Sequence, residues 1–167
     1  MQIRRAVPSD ASALAELAER TFRDAFAADN RAEDMDAFTA RVYGEVQQRR
    51  EIEDPEGVTL VGEDEGRLIA FTQLRRTASV WGDVEIARFY VDRRWHGQGI
   101  AQMLMLAAEA AARELGGRSL WLGVWERNPR GIAFYKKCGF EDAGSQPFLV
   151  GSDLQTDRVM VRVIPGA

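Results

Sequence analysis

A short glycine-containing loop, residues 94–99 (RWHGQG), stands between an alternating segment, residues 83–91, and a long amphipathic segment. The alternation predicts a β-strand, and the apolar spacing from Ile100 to Leu115 predicts a helix over about residues 98–115. Glycines let the backbone turn so that successive N–H groups point into one concavity, and the positive end of the following helix favours an anion. This strand–loop–helix unit predicts a site for a phosphate or a pyrophosphate.

Two well-known phosphate loops do not match this segment. A P-loop requires Lys followed by Ser or Thr after its last glycine, whereas Ile100-Ala101 follows Gly99 here. A dinucleotide fingerprint requires a small residue three places after the second glycine, and Gln102 occupies that place. A helix start whose glycines serve only the turn stays open as the alternative.

The rest of the chain predicts a mixed α/β (α+β) fold in a single domain over residues 1–167, with the element order β-α-α-β-β-β-α-β-α-β-β. We expect a mixed central sheet with helices on both faces and a ligand site at the carboxyl ends of the strands. The predicted strands are residues 3–7, 58–62, 68–75, 83–91, 119–125, 140–143 and 158–164. The predicted helices are residues 11–26, 35–52, 98–115 and 129–138, with Gly44 as a possible break in the second.

Composition narrows the functional classes. The 22 basic and 26 acidic residues give a net charge of −4, which lacks the basic footprint of a nucleic-acid-binding protein and suits cationic substrates. Cys138 is the only cysteine and His96 the only histidine, so we expect no disulfide and no metal site. Neither a signal peptide nor an apolar segment of membrane-spanning length is recognisable, and we therefore expect a cytoplasmic protein without a membrane partner.

Three motifs in order resemble the GNAT superfamily of N-acetyltransferases. The segment RRWHGQGIA resembles the acetyl-CoA pyrophosphate loop of that family through Arg94, Gly97 and Gly99. The preceding EIARFYV resembles its fourth strand, and WLGVWERNPRGIAFYKKCGF resembles its fifth strand and the following helix, with the family's Asn at Asn128 and Tyr at Tyr135. The resemblance extends from residue 3 to about residue 164. The stretch TFRDAF is further similar to the branch of bacterial polyamine acetyltransferases.

The resemblance implies a GNAT-type sheet whose fourth and fifth strands splay apart to admit the pantetheine arm of acetyl-CoA. It implies acetyl-CoA as co-substrate, with no metal. The residues that it places around acetyl-CoA are Phe89, Tyr90, Val91, Arg94, His96, Gly97, Gln98, Gly99, Ile100, Ala101, Asn128 and Tyr135.

The resemblance also implies the catalytic groups. Tyr135 would protonate the departing CoA thiolate, the alternative being a tyrosine of the core. Glu85 is the first candidate for the base that keeps the attacking amine neutral, since strict alternation places it on one face with Phe89 and Val91. Asp83 or a chain of water molecules is the second candidate, and a solvated charge at the strand end is the alternative for either carboxylate.

The function implied is transfer of an acetyl group from acetyl-CoA to a primary amine by direct attack in a ternary complex. A small cationic amine or a polyamine is favoured because acidic residues occur in the segment expected to cover the acceptor: Asp24, Asp29, Glu33, Asp34 and Asp36. The alternatives are acetylation of a protein N-terminus or lysine, and a non-catalytic acyl-CoA-binding module. We expect no nucleic acid partner and leave a homodimer open.

Overall fold

Seven strands form one mixed sheet in the computed structural model, which describes residues 1–166. The strands are β1 (Gln2–Arg5), β2 (Gly57–Asp64), β3 (Arg67–Arg76), β4 (Val84–Val91), β5 (Ser119–Trp125), β6 (Glu141–Val150) and β7 (Asp153–Val163). The helices are α1 (Ala11–Phe26), α2 (Ala32–Val42), α3 (Glu45–Glu53), α4 (Ile100–Glu114) and α5 (Pro129–Lys137). The strand order is β1-β2-β3-β4-β5-β7-β6, in which β4 and β5 are parallel and the other neighbours are antiparallel.

Each face of the sheet carries its own apolar core, and this confirms the expected mixed sheet with helices on both faces. On one face Leu104 of α4 and Tyr135 of α5 pack in a cluster with Ile69. On the other face Phe22 of α1 and Phe38 of α2 pack in a second cluster with Phe71. A ligand that passes between strands of this sheet can therefore reach both cores.

Helix α4 does not bury all of its apolar residues. Met103 is 45% exposed, whereas Met105 is 2% exposed. The turn of 100° per residue centres the buried face on Leu104 and Ala108, and Met103 then lies at its edge.

Two regions of predicted secondary structure differ in detail from the structure. The helical region expected over residues 35–52 is divided into α2 and α3 at the possible break, because Gly44 adopts an extended conformation (φ −64°, ψ 152°) before α3 begins. The last strands form a hairpin, residues 141–150 with 153–163, rather than the short segments 140–143 and 158–164. Gly, Ser, Gln and Pro in β6 have little strand propensity, but β6 is an edge strand, where Pro147 is tolerated.

Strands β4 and β5 pair only at their first residues. The parallel register contains Val84 with Leu120 and Glu85 with Trp121, and the two strands diverge beyond these pairs. The predicted splaying of the fourth and fifth strands is thereby confirmed, and it leaves a gap in the sheet at the carboxyl ends of β4 and β5.

A bulge in β4 overturns the predicted face of Glu85. The pairing with β3 passes from Ile86–Leu74 to Arg88–Gln73, so Ala87 is the extra residue. The inserted residue reverses the alternation, and Ile86 and Phe89 both belong to the core beside α4. Glu85 instead lines a cavity on the opposite face together with Arg88. The sequence-based prediction that Glu85 shares a face with Phe89 and Val91 is wrong.

Truncation of Leu104 should reveal how much the core beneath α4 contributes to stability. Leu104 is 0% exposed, so Leu104→Ala should lower the free energy of unfolding by about 2–5 kcal/mol. Leu106 on the same helix is 68% exposed, and Leu106→Ala should change it by less than about 0.5 kcal/mol. Urea unfolding followed by circular dichroism measures both, and equal losses would contradict this orientation of α4.

Candidate active site

A cavity of about 640 Å³, here called the first cavity, extends from the gap beside β4 to the loop before α4. It brings together all of the predicted acetyl-CoA residues except Arg94 and Gln98: Phe89, Tyr90, Val91, His96, Gly97, Gly99, Ile100, Ala101, Asn128 and Tyr135. Residues from three separate parts of the chain thus meet at one surface, at the carboxyl ends of the strands, where α/β sheets bind ligands.

The loop of the first cavity is shaped to receive an anion. Gly97 and Gly99 have φ values of +78° and +79°, a left-handed conformation that favours glycine. The first hydrogen bond of α4 runs from the Met103 N–H to the Gly99 carbonyl at 3.2 Å, so the preceding N–H groups have no acceptor within the helix. Ile100 and Ala101, which carry two of these N–H groups, line the cavity. Free amides and the positive end of the helix fit a pyrophosphate.

Arg94 stabilises this loop through an ion pair and does not line the first cavity. Its guanidinium binds the carboxylate of Asp92, with Nε 3.0 Å from Oδ1 and a terminal nitrogen 2.6 Å from Oδ2. Asp92 is 1% exposed and also accepts from Arg20 at 3.1 Å. Hydrogen bonds from Arg94 hold the pKa of Asp92 well below its ordinary value. Arg93, not Arg94, lines the cavity.

Two further side chains of the loop form hydrogen bonds to nearby backbone carbonyls. Nε2 of His96 lies 2.8 Å from the Val91 carbonyl, which can only accept, so Nε2 carries the hydrogen and ties the loop to the end of β4. The Gln98 amide donates to the Arg94 carbonyl at 3.3 Å. Neither side chain contacts a group from which it would remove a proton.

Tyr135 lies at the inner end of the first cavity, where it is 9% exposed. The ring of Phe89 is 6.0 Å from its ring and that of Phe134 is 5.4 Å away, both edge-on. Burial raises the pKa of the Tyr135 hydroxyl, and the nearby Cys138 adds to the effect. The hydroxyl therefore keeps its proton at neutral pH, and this state is the one required of a proton donor.

Asn128 begins α5 as expected. Its side-chain oxygen accepts from the Gly131 N–H at 2.9 Å, with Pro129 in the first helical turn. Because the oxygen caps the helix, the amide nitrogen is the part of Asn128 that is available to the first cavity, whose wall includes this residue.

A second cavity of about 470 Å³ lies on the other face of the sheet. Tyr90 of β4 lines both cavities and so stands between them, on a strand that borders the gap between β4 and β5. Burial raises the pKa of Tyr90 well above its ordinary value. Much of the wall of the second cavity is aromatic. Its rings come from α1, from α2, from the residue that follows α2, and from β6: Phe22, Phe38, Tyr43 and Phe148.

Two carboxylates line the second cavity, and their surroundings differ. Glu85 is bound by Arg75, whose Nε is 2.6 Å from its Oε2. Asp157 of β7 is 7% exposed, and its Oδ1 has no hydrogen-bond partner among residues 1–166. Burial raises the pKa of Asp157 to about 6. A Cβ on Gly123 of β5 would lie 2.8 Å from Asp157 Oδ2, so this approach requires glycine.

The acidic residues of the first helices do not form a free negative surface. Four of the five lie within 4.0 Å of an arginine: Asp24 of Arg93, Asp29 of Arg127, Asp34 of Arg31 and Asp36 of Arg23. The observation that favoured a polyamine over other amines is thus removed by ion pairing.

Several wall residues were missed by sequence reasoning. Arg130 could have been found, because it follows the Asn128-Pro129 helix start that faces the same ligand. Thr21 and Asp24 of α1 also line the first cavity. In the sequence, Thr21 and Asp24 are ordinary positions of an amphipathic helix, so no local signal marks them as wall residues. Asp157 carries no local signal, because its place depends on the pairing of β7 with β5.

Comparison with known proteins agrees with this geometry. The sequence pattern of the Acetyltransferase (GNAT) family matches residues 12–140. An uncharacterised N-acetyltransferase of Mycobacterium tuberculosis is 32% identical over 154 residues, covering 92% of this chain and 97% of the relative. The aminoglycoside N(6′)-acetyltransferase type 1 of Stenotrophomonas maltophilia is 26% identical, covering 84% and 86%.

The fold has a close counterpart among solved structures. The PaiA N-acetyltransferase of Thermoplasma acidophilum, determined in complex with coenzyme A, superposes with a TM-score of 0.83 at 23% identity, covering 97% of this chain and 98% of that one.

The chain belongs to the acetyltransferase (GNAT) family. It is an acyltransferase, an N-acetyltransferase that uses acetyl-CoA as co-substrate. Within residues 1–166 no helix is both long and apolar enough to cross a membrane.

A charged substitution in the loop should prevent acetyl-CoA binding. Gly97→Glu places a carboxylate and a strained side chain where the pyrophosphate is expected, and we expect no measurable binding by calorimetry. Gly66 provides the control, because it has a φ of +75° in the turn between β2 and β3 and likewise open space around its Cβ position. Gly66→Glu should bind acetyl-CoA as the wild type does; unchanged affinity in Gly97→Glu would refute the loop assignment.

Removal of the Tyr135 hydroxyl tests the proton donor. Tyr135→Phe should lower kcat by ~10²-fold or more, because the thiolate then leaves without a proton. The affinity for acetyl-CoA should stay within a factor of two of that of the wild type, since the ring and its aromatic neighbours remain. Thiol release and calorimetry measure the two quantities, and a variant with wild-type kcat would return Tyr135 to a packing role.

Proposed function

We propose that this protein transfers the acetyl group of acetyl-CoA directly to the primary amine of a small molecule. The observation that carries the proposal is the position of Tyr90 between two cavities on opposite faces of the sheet, on the strand that borders the gap where β4 and β5 diverge. The thioester would enter the gap from the first cavity, and the amine would enter from the second. Each reactant approaches from its own face of the sheet, as an attack within a ternary complex requires.

The surroundings of Cys138 support direct transfer over an acyl-cysteine route. Burial raises the pKa of its thiol, so little of it is thiolate at neutral pH. Cys138 packs against the core beside α4 and is in the wall of neither cavity.

The cover of the second cavity supports a small acceptor over a protein. Asp34 of α2 accepts from the Ser152 N–H at 2.8 Å and from its hydroxyl at 3.0 Å, at the turn between β6 and β7. The rings of Phe38 and Phe148 meet edge-on at 5.6 Å along the same closure. An extended peptide needs an open groove or a free strand edge, and these contacts close the groove between α2 and the hairpin.

The proposed chemistry divides between the two faces. The amine nitrogen attacks the thioester carbon, the C–N bond forms, and the C–S bond breaks. Tyr135 would donate its proton to the CoA sulfur on the first side of the gap. Glu85, the base that the resemblance implies, lies on the second side of the gap, where its carboxylate is bound by Arg75.

The acceptor is expected to have an apolar or aromatic body with a single amine. The second cavity offers five aromatic rings, and Glu85 and Arg88 in its wall are already paired with Arg75 and Glu51. A polyamine would therefore meet few free carboxylates there. Acceptors of the kind named for the Stenotrophomonas relative remain one class to test.

An amine screen tests this function. Thiol release and product mass should be recorded with acetyl-CoA and 2-phenylethylamine, spermidine, kanamycin or a lysine-containing peptide. We expect acetylation of 2-phenylethylamine with kcat/KM at least equal to that for spermidine. The rate should change little with salt, because the acidic residues near the acceptor side are mostly paired with arginines. A free acidic surface would instead give an attraction that salt screens over ~8 Å at physiological ionic strength.

Each alternative has its own outcome in this screen. A clear preference for spermidine that shrinks with salt would support a polyamine enzyme, and acetylation of the peptide alone would overturn the small-molecule proposal. Cys138→Ala is the matched variant for the covalent route. It should keep wild-type turnover, and loss of activity with retained acetyl-CoA binding would contradict direct transfer.

A further inference from the structure

Asp157 of β7 is a buried acidic group on the acceptor side of the gap. It is 7% exposed, lines the second cavity, and leaves Oδ1 without a hydrogen-bond partner among the described residues. A buried carboxylate without a partner is costly, because it loses its hydration and gains nothing in return. Such a group is retained where a ligand can supply the missing partner.

The position of Asp157 brings this group beside the gap in the sheet. It pairs with Trp125 of β5 and Gln146 of β6, so its side chain points to the face of the second cavity. Oδ2 lies over Gly123, in the strand that borders the gap. Gly123 leaves room for the carboxylate to approach the backbone, where any other side chain would displace it.

The other charged groups of this cavity are already engaged or lie on its aromatic wall. Arg75 binds Glu85 at 2.6 Å, and Arg88 binds Glu51 and stands over the ring of Tyr43 at 5.2 Å. Arg41 stands over the ring of Phe38 at 5.7 Å. The titratable and charged side chains that share the cavity with Asp157 are Arg41, Tyr43, Arg75, Glu85, Arg88 and Tyr90. None of these makes an ion pair with Asp157.

We propose that Asp157 binds the ammonium group of the acceptor and takes its proton, so that it, rather than Glu85, is the base of the reaction. This inference rests on the proposed function. The carboxylate removes one proton from R–NH3⁺, and the neutral amine attacks the thioester carbon. As the C–S bond breaks, the sulfur takes the Tyr135 proton and the nitrogen releases its extra proton to the tyrosine oxygen. The products are the acetamide, CoA–SH and protonated Asp157.

The environment of Asp157 suits this role. Burial raises the pKa of the carboxyl group to about 6, so it is ionised at neutral pH but is a stronger base than an exposed aspartate. Below pH 6 it is protonated and can neither hold an ammonium group nor accept its proton. The rate should therefore be lost as the pH falls through about 6.

The kinetic test compares Asp157→Asn with Asp142→Asn. Asp157→Asn keeps the shape but not the charge, and it should lower kcat/KM for 2-phenylethylamine by ~10²-fold or more while removing the acidic limb of the pH profile. Asp142 lies elsewhere on the same hairpin and is bound to Arg158 at 2.6 Å. Asp142→Asn should therefore retain both the wild-type kcat/KM and the acidic limb of the pH profile. An unchanged limb in Asp157→Asn, or its loss in Glu85→Gln instead, would overturn the proposal.

A stability measurement gives a readout that a structural carboxylate would not produce. The folded pKa of Asp157 is raised above the unfolded value of 3.8, so ionisation of Asp157 destabilises the fold as the pH rises from about 4 through about 6. Asp157→Asn should therefore have a higher Tm than the wild type at pH 7.5 and a similar Tm at pH 4. A lower Tm for the variant at both pH values would show a structural role and overturn the proposal.

Binding separates this inference from the proposed function. If the wild type acetylates no amine in the screen, the proposed function fails. Calorimetry of 2-phenylethylamine with the CoA-saturated protein still decides the role of Asp157. Binding to the wild type with a loss of ~10-fold or more in Asp157→Asn supports an ammonium site. Equal binding to both, or binding to neither, overturns it.

Discussion

The separation of β4 from β5 is the constraint on which the rest of the structure depends. Two parallel strands that share only two register pairs leave backbone N–H and C=O groups of the sheet without partners beyond that point. His96 satisfies one of them at the Val91 carbonyl, and Phe89, Tyr90 and Val91 of β4 line the first cavity. Because unpaired backbone groups are unfavourable when buried, the gap is stable only if water or a ligand supplies the hydrogen bonds. The pantetheine arm of acetyl-CoA carries amides that can do so.

The gap also determines how charge is distributed around it. Positive charge and free amides gather at the outer end of the first cavity, where Arg93 and the start of α4 face the expected pyrophosphate. Asp92 lies behind this loop and is neutralised by Arg94 and Arg20, so the loop gains rigidity without presenting a negative charge to the phosphates. A side chain that the motif assigns to phosphate binding acts in this chain as the support of the loop.

The second face combines aromatic packing with one group that opposes stability. Phe22 and Phe38 stack with centroids 4.4 Å apart and, together with the closure of α2 onto the β6–β7 turn, give the acceptor side a fixed shape. Asp157 stands in the same wall, and its Oδ1 has no hydrogen-bond partner within residues 1–166, which lowers the stability of the fold. Stability and reactivity are thus opposed at this position, as they commonly are where a protein must bind a charge that arrives with its substrate.

The sequence by itself determined the order of most elements and the loop before α4, because these depend on local signals: alternation, helical spacing, glycines and helix caps. Its resemblance to the GNAT motifs pointed to ten residues of the first cavity. Tertiary structure alone decided the face of Glu85, since one extra residue in β4 reverses the alternation and is visible only in the pairing with β3. It likewise decided the direction of Arg94, which depends on a buried carboxylate two residues earlier, and the place of Asp157. That last residue is 34 positions from Gly123 in the chain but adjacent to it in the sheet, and long-range strand pairing of this kind leaves no trace in local sequence.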